Sequence, residues 1–402
     1  MGLRRLSPVD TLAIVGFLMN TTLYMMNPIM AIYLRQHLGA TLAEVGVLTS
    51  VAFITSFAMK LPMGLALAGR RLYRITVAAI VIMTVLPVGY SLSPNLGAIL
   101  ALRVLHGIGM ALTWSLLWTE VSMVDSGAKM QSAVARFAMI VSPGLVAGPI
   151  LSTFMTALLG PRNTLLAASF VAAPAIVMVL SLPRDLLRAE VVEKRAKPWA
   201  DVSGVAVQPG VQIAMMGAAA YSFTYGMLLA YAPLYAYDRF ALTEANIASL
   251  FVGFTGVIVG TRFILARLFA ALPLPVIVII AIVNAGGMLL VMALGPTVWI
   301  FAAGFTFLGF SHGIVPPIRA LLVARSIAPS KRVLANSVVD AGYDFGILAG
   351  PLAASILIPV LGLGLVIALF ASVPLALTLP VRIAANRAPD GTFAVIPRQT
   401  SN

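Results

Sequence analysis

Apolar residues run through this chain in blocks of about twenty, each closed by a short polar or glycine–proline break. That is about the length at which a helix crosses a ~30 Å hydrocarbon core. The blocks lack the two-residue alternation of an outer-membrane barrel, and backbone in lipid must satisfy its own hydrogen bonds, so they are read as helices. Twelve are predicted, over residues 11–33, 43–66, 75–92, 96–119, 132–158, 163–181, 210–236, 245–268, 273–294, 298–322, 333–359 and 361–381. One long polar stretch, LPRDLLRAEVVEKRAKPWADVSG from Leu182, interrupts the series. The expected architecture is an all-α polytopic membrane protein: a six-helix bundle over 1–181, a cytoplasmic linker at 182–208, a second six-helix bundle over 209–382 and a cytoplasmic tail at 383–402.

Composition fits this pattern. Of 402 residues, 60% are hydrophobic and 10% charged, and the mean hydropathy is +1.02. A soluble domain of that composition could not keep its surface hydrated. The net charge of +13 raises the question of nucleic acid, and the placement of the charges answers it. With the N-terminus inside, the inner segments hold 18 of the 26 basic residues: Arg4, Arg5, Arg70, Arg71, Arg74, Lys129, five in the linker, Arg267, Arg325, Lys331, Arg332, Arg382, Arg387 and Arg398. The outer loops hold only Arg35, Arg162 and Arg239. This is the positive-inside bias; it predicts cytoplasmic termini in a plasma membrane and argues against nucleic-acid binding. The absence of cysteine excludes disulfide and thiol chemistry. The block after Arg4 and Arg5 is too long for a cleavable signal and lacks a small-residue cleavage site.

The chain repeats itself. GLVAGPIL at 144–151 returns as GILAGPLA at 346–353, 202 positions on (346 − 144). LHGIG at 105–109 echoes SHGIV at 311–315, NPIMAIYLR at 27–35 resembles APLYAYDR at 232–239, and Lys60 stands opposite Arg262. The two halves read as one six-helix unit used twice, and an even number of helices per unit makes the repeats parallel. Two such bundles around a midplane site suit alternating access.

On these residues the sequence resembles the major facilitator superfamily, over essentially its whole length. RVLHGIG at 103–109 resembles the family's fourth-helix motif, with His106 in place of the usual glutamine. GLVAGP at 144–149 resembles the fifth-helix motif associated with antiporters. KLPMGLALAGRRLYR at 60–74 resembles the loop between helices two and three, although the family's aspartate is missing. The resemblance implies a twelve-helix transporter of the drug/proton antiporter kind, with helices one, four, seven and ten lining a central cavity.

Ionisable groups inside spans are costly and therefore candidates for function. They are Lys60, Arg103, Arg136, Arg262, Arg319, Asp340 and Asp344, with His106 and His312. Asp340 and Asp344 are four apart and share a face. Lys60 and Asp340 lie ~9 Å and ~12 Å above the inner ends of their helices, and the family places those helices side by side. A Lys60–Asp340 pair closing the cytoplasmic side is one expectation; a carboxylate that titrates with transport is the alternative, with Asp344 the better placed. Interhelical hydrogen bonding is the plainer role for both. The resemblance implies that Arg103 holds the proton pathway or contacts substrate; snorkelling is its simpler role. Arg136, Arg262 and Arg319 read as structural.

For the solute cavity, Asn20, Tyr24 and Asn27 fall on one polar face of the first span, and Tyr221 and Tyr225 form a stripe in the seventh. With Arg103, His106 and His312 they make the expected substrate site. Gly144, Gly148 and Pro149, and their counterparts Gly346, Gly350 and Pro351, are expected at close helix contacts and bends. No glycine–lysine phosphate loop, metal-ligand cluster or nucleophile–base pattern is present, so neither enzyme chemistry, a cofactor nor a metal is expected. The partners expected are the lipid bilayer, a small-molecule solute and protons, with the chain working as a monomer. Proton-coupled efflux of amphipathic solutes leads, a carrier of small organic or inorganic anions is the alternative, and a non-transporting membrane sensor is a third reading.

Overall fold

The computed structural model describes residues 6–66, 72–124, 127–183, 198–328, 331–388 and Phe393. Arg4 and Arg5, Arg70 and Arg71, the five basic residues of the 182–208 linker, and the tail beyond 388 apart from Phe393 lie outside the described residues. Every regular element among the described residues is helical: α1 (Pro8–Leu38), α2 (Leu42–Ala66), α3 (Leu72–Leu92), α4 (Leu96–Val124), α5 (Gly127–Val141), α6 (Gly144–Leu180), α7 (Pro198–Ala206), α8 (Pro209–Ala230), α9 (Ala232–Phe240), α10 (Glu244–Ala271), α11 (Leu274–Leu294), α12 (Val298–Ser326), α13 (Arg332–Leu361), α14 (Leu363–Phe370), α15 (Ser372–Ala376) and α16 (Thr378–Asn386).

Eleven stretches among the described residues are long and apolar enough to cross a membrane. The longest, Arg136–Leu180, covers most of the predicted fifth and sixth spans. Gly160 divides them: it takes φ 76° and ψ 168° inside α6, a conformation open essentially to glycine alone. With that break the stretches agree with the twelve predicted spans. Three predicted spans are subdivided. The fifth pauses between α5 and α6 at Ser142 and Pro143. The seventh is α8 plus α9, parted at Tyr231, two residues before Pro233, which has no N–H to continue the ladder. The twelfth is α14, α15 and α16, with Pro374 in α15 and Pro380 in α16.

The chain forms two compact units, residues 1–41, 54–194 and 242–252 in the first and 42–53, 195–241 and 253–402 in the second. In the first, α1 packs on α5 and α6, and α3 packs on α4 and α6. In the second, α8 packs on α11, α12 and α13.

The 202-residue displacement in the sequence is a displacement in the structure too. A Cβ on Gly144 would lie 2.8 Å from Phe17 O and one on Gly148 2.6 Å from Thr21 O. A Cβ on Gly346 would lie 2.3 Å from Ala219 O and one on Gly350 2.7 Å from Phe223 O. The two pairs of the first unit become those of the second by a shift of 202 in both partners. In each unit, therefore, one helix lies against the backbone of another, which only glycine allows. Backbone turns repeat as well. Gly160 and Gly362 both have φ 76°, and Gly39 (φ 68°) is matched by Ala241 (φ 50°) as a left-handed helix cap.

The repeat also caps helices. The last carbonyls of a helix have no partner within it. At the end of α3, Tyr33 Oη donates to Tyr90 O at 2.9 Å and Arg162 Nε to Ser91 O at 2.9 Å. At the end of α11, Tyr235 Oη donates to Ala293 O at 2.8 Å and Arg239 to the same oxygen at 3.1 Å. Tyr33→Phe and Tyr235→Phe should each lower stability by about 0.5–1.5 kcal/mol, the net worth of one such bond. As the sites belong to separate units, melting of the detergent-solubilised double variant should show the sum; a marked departure would mean that the two caps are coupled.

Candidate functional site: two tyrosine–histidine pairs and buried carboxyls

Each unit holds a buried histidine bonded to a tyrosine. In the first, Arg103 and His106 stand three apart on α4 and so share a face. The Tyr90 hydroxyl, from α3, lies 2.9 Å from His106 Nδ1, and the Arg103 guanidinium sits over the Tyr90 ring, 5.3 Å from its centre. Both α4 side chains are buried. His106 Nε2 and Arg103 Nε have no hydrogen-bond partner among the described residues.

In the second unit, His312 on α12 is hydrogen-bonded through Nδ1 to the Tyr221 hydroxyl of α8. Three rings meet the imidazole near perpendicular: Tyr221 at 5.2 Å, Tyr225 at 5.3 Å and Phe254 at 5.8 Å between centres. Tyr221 and Tyr225, one turn apart on α8, stack at 5.8 Å. The cluster continues to a charged pair: Tyr343 is 6.4 Å from Tyr221, Arg319 lies 5.7 Å over Tyr343, and Arg319 binds Asp340 at 2.8 Å. Aromatic edges and faces of this kind attract one another and a nearby cation.

The structure thus joins Tyr221, Tyr225 and His312 as the sequence led one to expect, and joins Arg103 to His106 through Tyr90. Tyr90, Phe254 and Tyr343 are members that sequence reasoning missed. A tyrosine near a helix end reads as an interfacial anchor, and a phenylalanine in an apolar block carries no positional signal.

The stripe on α1 is differently engaged. Asn20 Nδ2 donates to Val141 O at 3.2 Å, satisfying a carbonyl where α5 ends. Tyr24 is buried with its Cβ against Gly148, and Asn27 is half-buried. Asn20 therefore has a packing partner between α1 and α5.

Sequence reasoning gave Asp340 to Lys60; the ion pair Asp340 makes is with Arg319. The physical reason is proximity within one unit, since α12 packs against α13 and Arg319, near the end of α12, reaches across to it. Lys60 is half-buried on α2, in the part of that helix belonging to the first unit. Arg136 likewise pairs with a residue the sequence did not single out, Asp10, at 2.8 Å. Asp344, one turn on from Asp340, is only 3% exposed.

A further acid is hidden at the end of α4. Glu120 is completely buried and accepts a hydrogen bond at Oε1 from the Thr76 hydroxyl of α3. It lies two residues past the apolar stretch Leu96–Trp118 and just outside the predicted fourth span, and so was not among the intramembrane candidates. Among the described residues no three His, Asp or Glu side chains gather as a metal site.

Eleven apolar stretches among the described residues, one of them divided at Gly160, and a structural repeat of 202 residues make this a polytopic helical membrane protein. The Major Facilitator Superfamily model matches residues 12–283, and the chain belongs to that family. Solved structures share the fold: a POT family transporter in complex with a thioalcohol-conjugated peptide (TM-score 0.78, 14% identity, covering 94% of this chain and 96% of that one). A variant of the nucleoside transporter NupG aligns with TM-score 0.77 at 12% identity, covering 94% and 99%. The human organic anion transporter MFSD10 aligns at 0.65 and 15%, covering 94% and 100%. No curated protein matches the chain in sequence. It is a multi-pass secondary transporter and not an enzyme.

Proposed function

We propose that this transporter exports small amphipathic solutes in exchange for protons, by alternating access. The observation that carries the reading is Asp344: a carboxyl 3% exposed on α13, adjoining Tyr343 of the aromatic cluster around His312. A lipophilic cation binds well to aromatic faces, and an acid beside them binds either the cation or a proton. Competition for one carboxylate couples the two flows. Solute contacts are assigned to Tyr221, Tyr225 and His312, with Arg103, His106, Asn20, Tyr24 and Asn27 contributing from the first half, and Lys60 and Asp340 to gating. Pro149 and Pro351 are assigned as bends beside the glycine contacts. The bundles are taken as 1–181 and 209–382 around the 182–208 linker, with the 383–402 tail and both termini cytoplasmic, as a monomer in the plasma membrane.

The test uses proteoliposomes loaded with ethidium as the probe. A proton gradient should drive ethidium out against its own gradient in the wild type, and Asp344→Asn should abolish the pH-driven part. Unchanged pH-driven movement in that variant would remove Asp344 from the mechanism.

One observation favours a second reading. Arg103 is buried and no carboxylate pairs with it among the described residues, as a binding site for a small organic or inorganic anion would require; MFSD10 is described as an organic anion transporter. An anion at ~100 times its dissociation constant stabilises a two-state protein by ~2.7 kcal/mol. Stabilisation by anions that is lost in Arg103→Gln, with none by ethidium, would select this reading over export.

A further inference from the structure

Among the described residues, Glu120 is the one buried acid that the reading above does not use. Its side chain is shut off from solvent. Thr76 Oγ1 donates to one carboxyl oxygen, and the other, Oε2, has no hydrogen-bond partner among the described residues. Among the described residues, α1, α3 and α5 pack against α4. Their charged and titratable groups are Asp10, Tyr24, Tyr33, Arg35 and His37 on α1, Tyr73, Arg74 and Tyr90 on α3, and Lys129 and Arg136 on α5. Arg136 is held by Asp10, Arg74 is exposed, and Tyr33 and Tyr90 are bonded at the other end of α3. The Lys129 side chain lies outside the described residues. On α4 itself, Arg103 and His106 are fourteen residues or more away (120 − 106 = 14), nearly four turns.

No counter-ion pairs with Glu120 among the described residues, and a buried carboxylate without one is costly. A proton on Oε2 removes that cost and leaves the Thr76 bond in place. We propose that Glu120, with Thr76 as its hydrogen-bond donor, is a proton-binding site of the first unit, occupied in this conformation and separate from Asp344. The step is a protonation only: Oε2 gains a proton from water and returns it when the pocket opens. Burial pushes the Glu120 carboxyl up from its usual range to about 7, with the Thr76 bond pulling the other way, so the site would change state near neutral pH. Its part in transport rests on the proton exchange proposed above.

The deciding experiment is an infrared pH titration of the full-length protein, which needs no transported solute and so stands apart from the export reading. A carboxylic-acid carbonyl band should disappear as pH rises through neutrality, persist in Asp344→Asn and be missing in Glu120→Gln. Thr76→Val, which removes the donor that favours the charged form, should move the midpoint to higher pH; this variant keeps the test open if Glu120→Gln does not fold. A band unchanged in Glu120→Gln, or a midpoint unmoved in Thr76→Val, would overturn the site. In pyranine-loaded proteoliposomes, Glu120→Gln should also lower the number of protons moved per ethidium; an unchanged ratio would remove Glu120 from coupling. If wild-type protein moves no ethidium, the export reading fails while the infrared result still decides the site.

Discussion

Gly346→Ala is expected to leave little folded protein, while the same change at Gly256, Gly260 or Gly287 is expected to be silent or mildly stabilising. A methyl group on Gly346 would stand 2.3 Å from Ala219 O, 2.9 Å from the carbonyl carbon beside it and 2.1 Å from Ser222 Oγ. The serine can rotate away; the backbone of α8 cannot. Relief requires α13 to move off α8, and these two helices share the most extensive packing of the second unit. Overpacking of this kind costs about 1–3 kcal/mol, and more where the obstacle is rigid. That is a large fraction of the ~5–15 kcal/mol that holds a typical domain together. Gly256, Gly260 and Gly287 have nothing within 4 Å of the added carbon, so alanine there only gains the helix propensity that glycine lacks, about 0.5–1 kcal/mol. Gly148→Ala should resemble Gly346→Ala, since its methyl would meet Thr21 O at 2.6 Å and Met25 N at 2.8 Å. The measurement is the monodisperse fraction and melting temperature in detergent. If all five variants behaved alike, close backbone approach would not be what these glycines provide.

The fold was legible because its strongest constraints are short-range. A block of twenty apolar residues is a crossing helix whatever surrounds it, and the glycine octapeptide announced by its recurrence a contact that must recur. The breaks were harder. The sequence placed breaks near Gly160 and Gly362, between the fifth and sixth and the eleventh and twelfth spans, but not the backbone turn with φ 76° that the two glycines share. The candidate site was half legible. Tyr221, Tyr225 and His312 declared themselves because polar atoms in an apolar block must find partners, and they found one another. Asp340 pairs with Arg319 of its own unit, a partner the sequence did not name because depth along a helix does not fix which neighbour a side chain faces. Tyr90 and Phe254 were invisible because an aromatic ring is at home in any apolar helix. Glu120 was missed for a simpler reason: it stands just past the apolar block, where charge is expected, and only burial makes it unusual.

Gly46→Leu is expected to detach the first half of α2 from α13. Residues 42–53 belong to the second unit, and Gly46 lies against α13 and Tyr231. A Cβ there would meet Tyr231 Oη at 2.0 Å, Pro351 O at 2.6 Å and Ser355 Cβ at 3.0 Å. One turn along, Ser50 donates to Leu348 O at 3.0 Å, and Tyr231 donates to Pro351 O at 3.2 Å. Two hydroxyls from outside α13 thus serve carbonyls around the proline that interrupts its ladder. The chain has no cysteine, so Ser50→Cys supplies a single thiol at a fully buried position. Its labelling by a membrane-impermeant maleimide should be slow and should quicken about 5–30-fold when Gly46→Leu is added, the factor that 1–2 kcal/mol of lost docking corresponds to. Equal labelling with and without Gly46→Leu would mean that this contact does not hold α2 in place. The repeat supplies a second arm. Residues 242–252 of α10 belong to the first unit, and Ala248, 202 positions after Gly46, is fully buried there. If Ala248→Leu in turn exposes its own segment of α10, docking of a short helical segment is a property of the repeated unit.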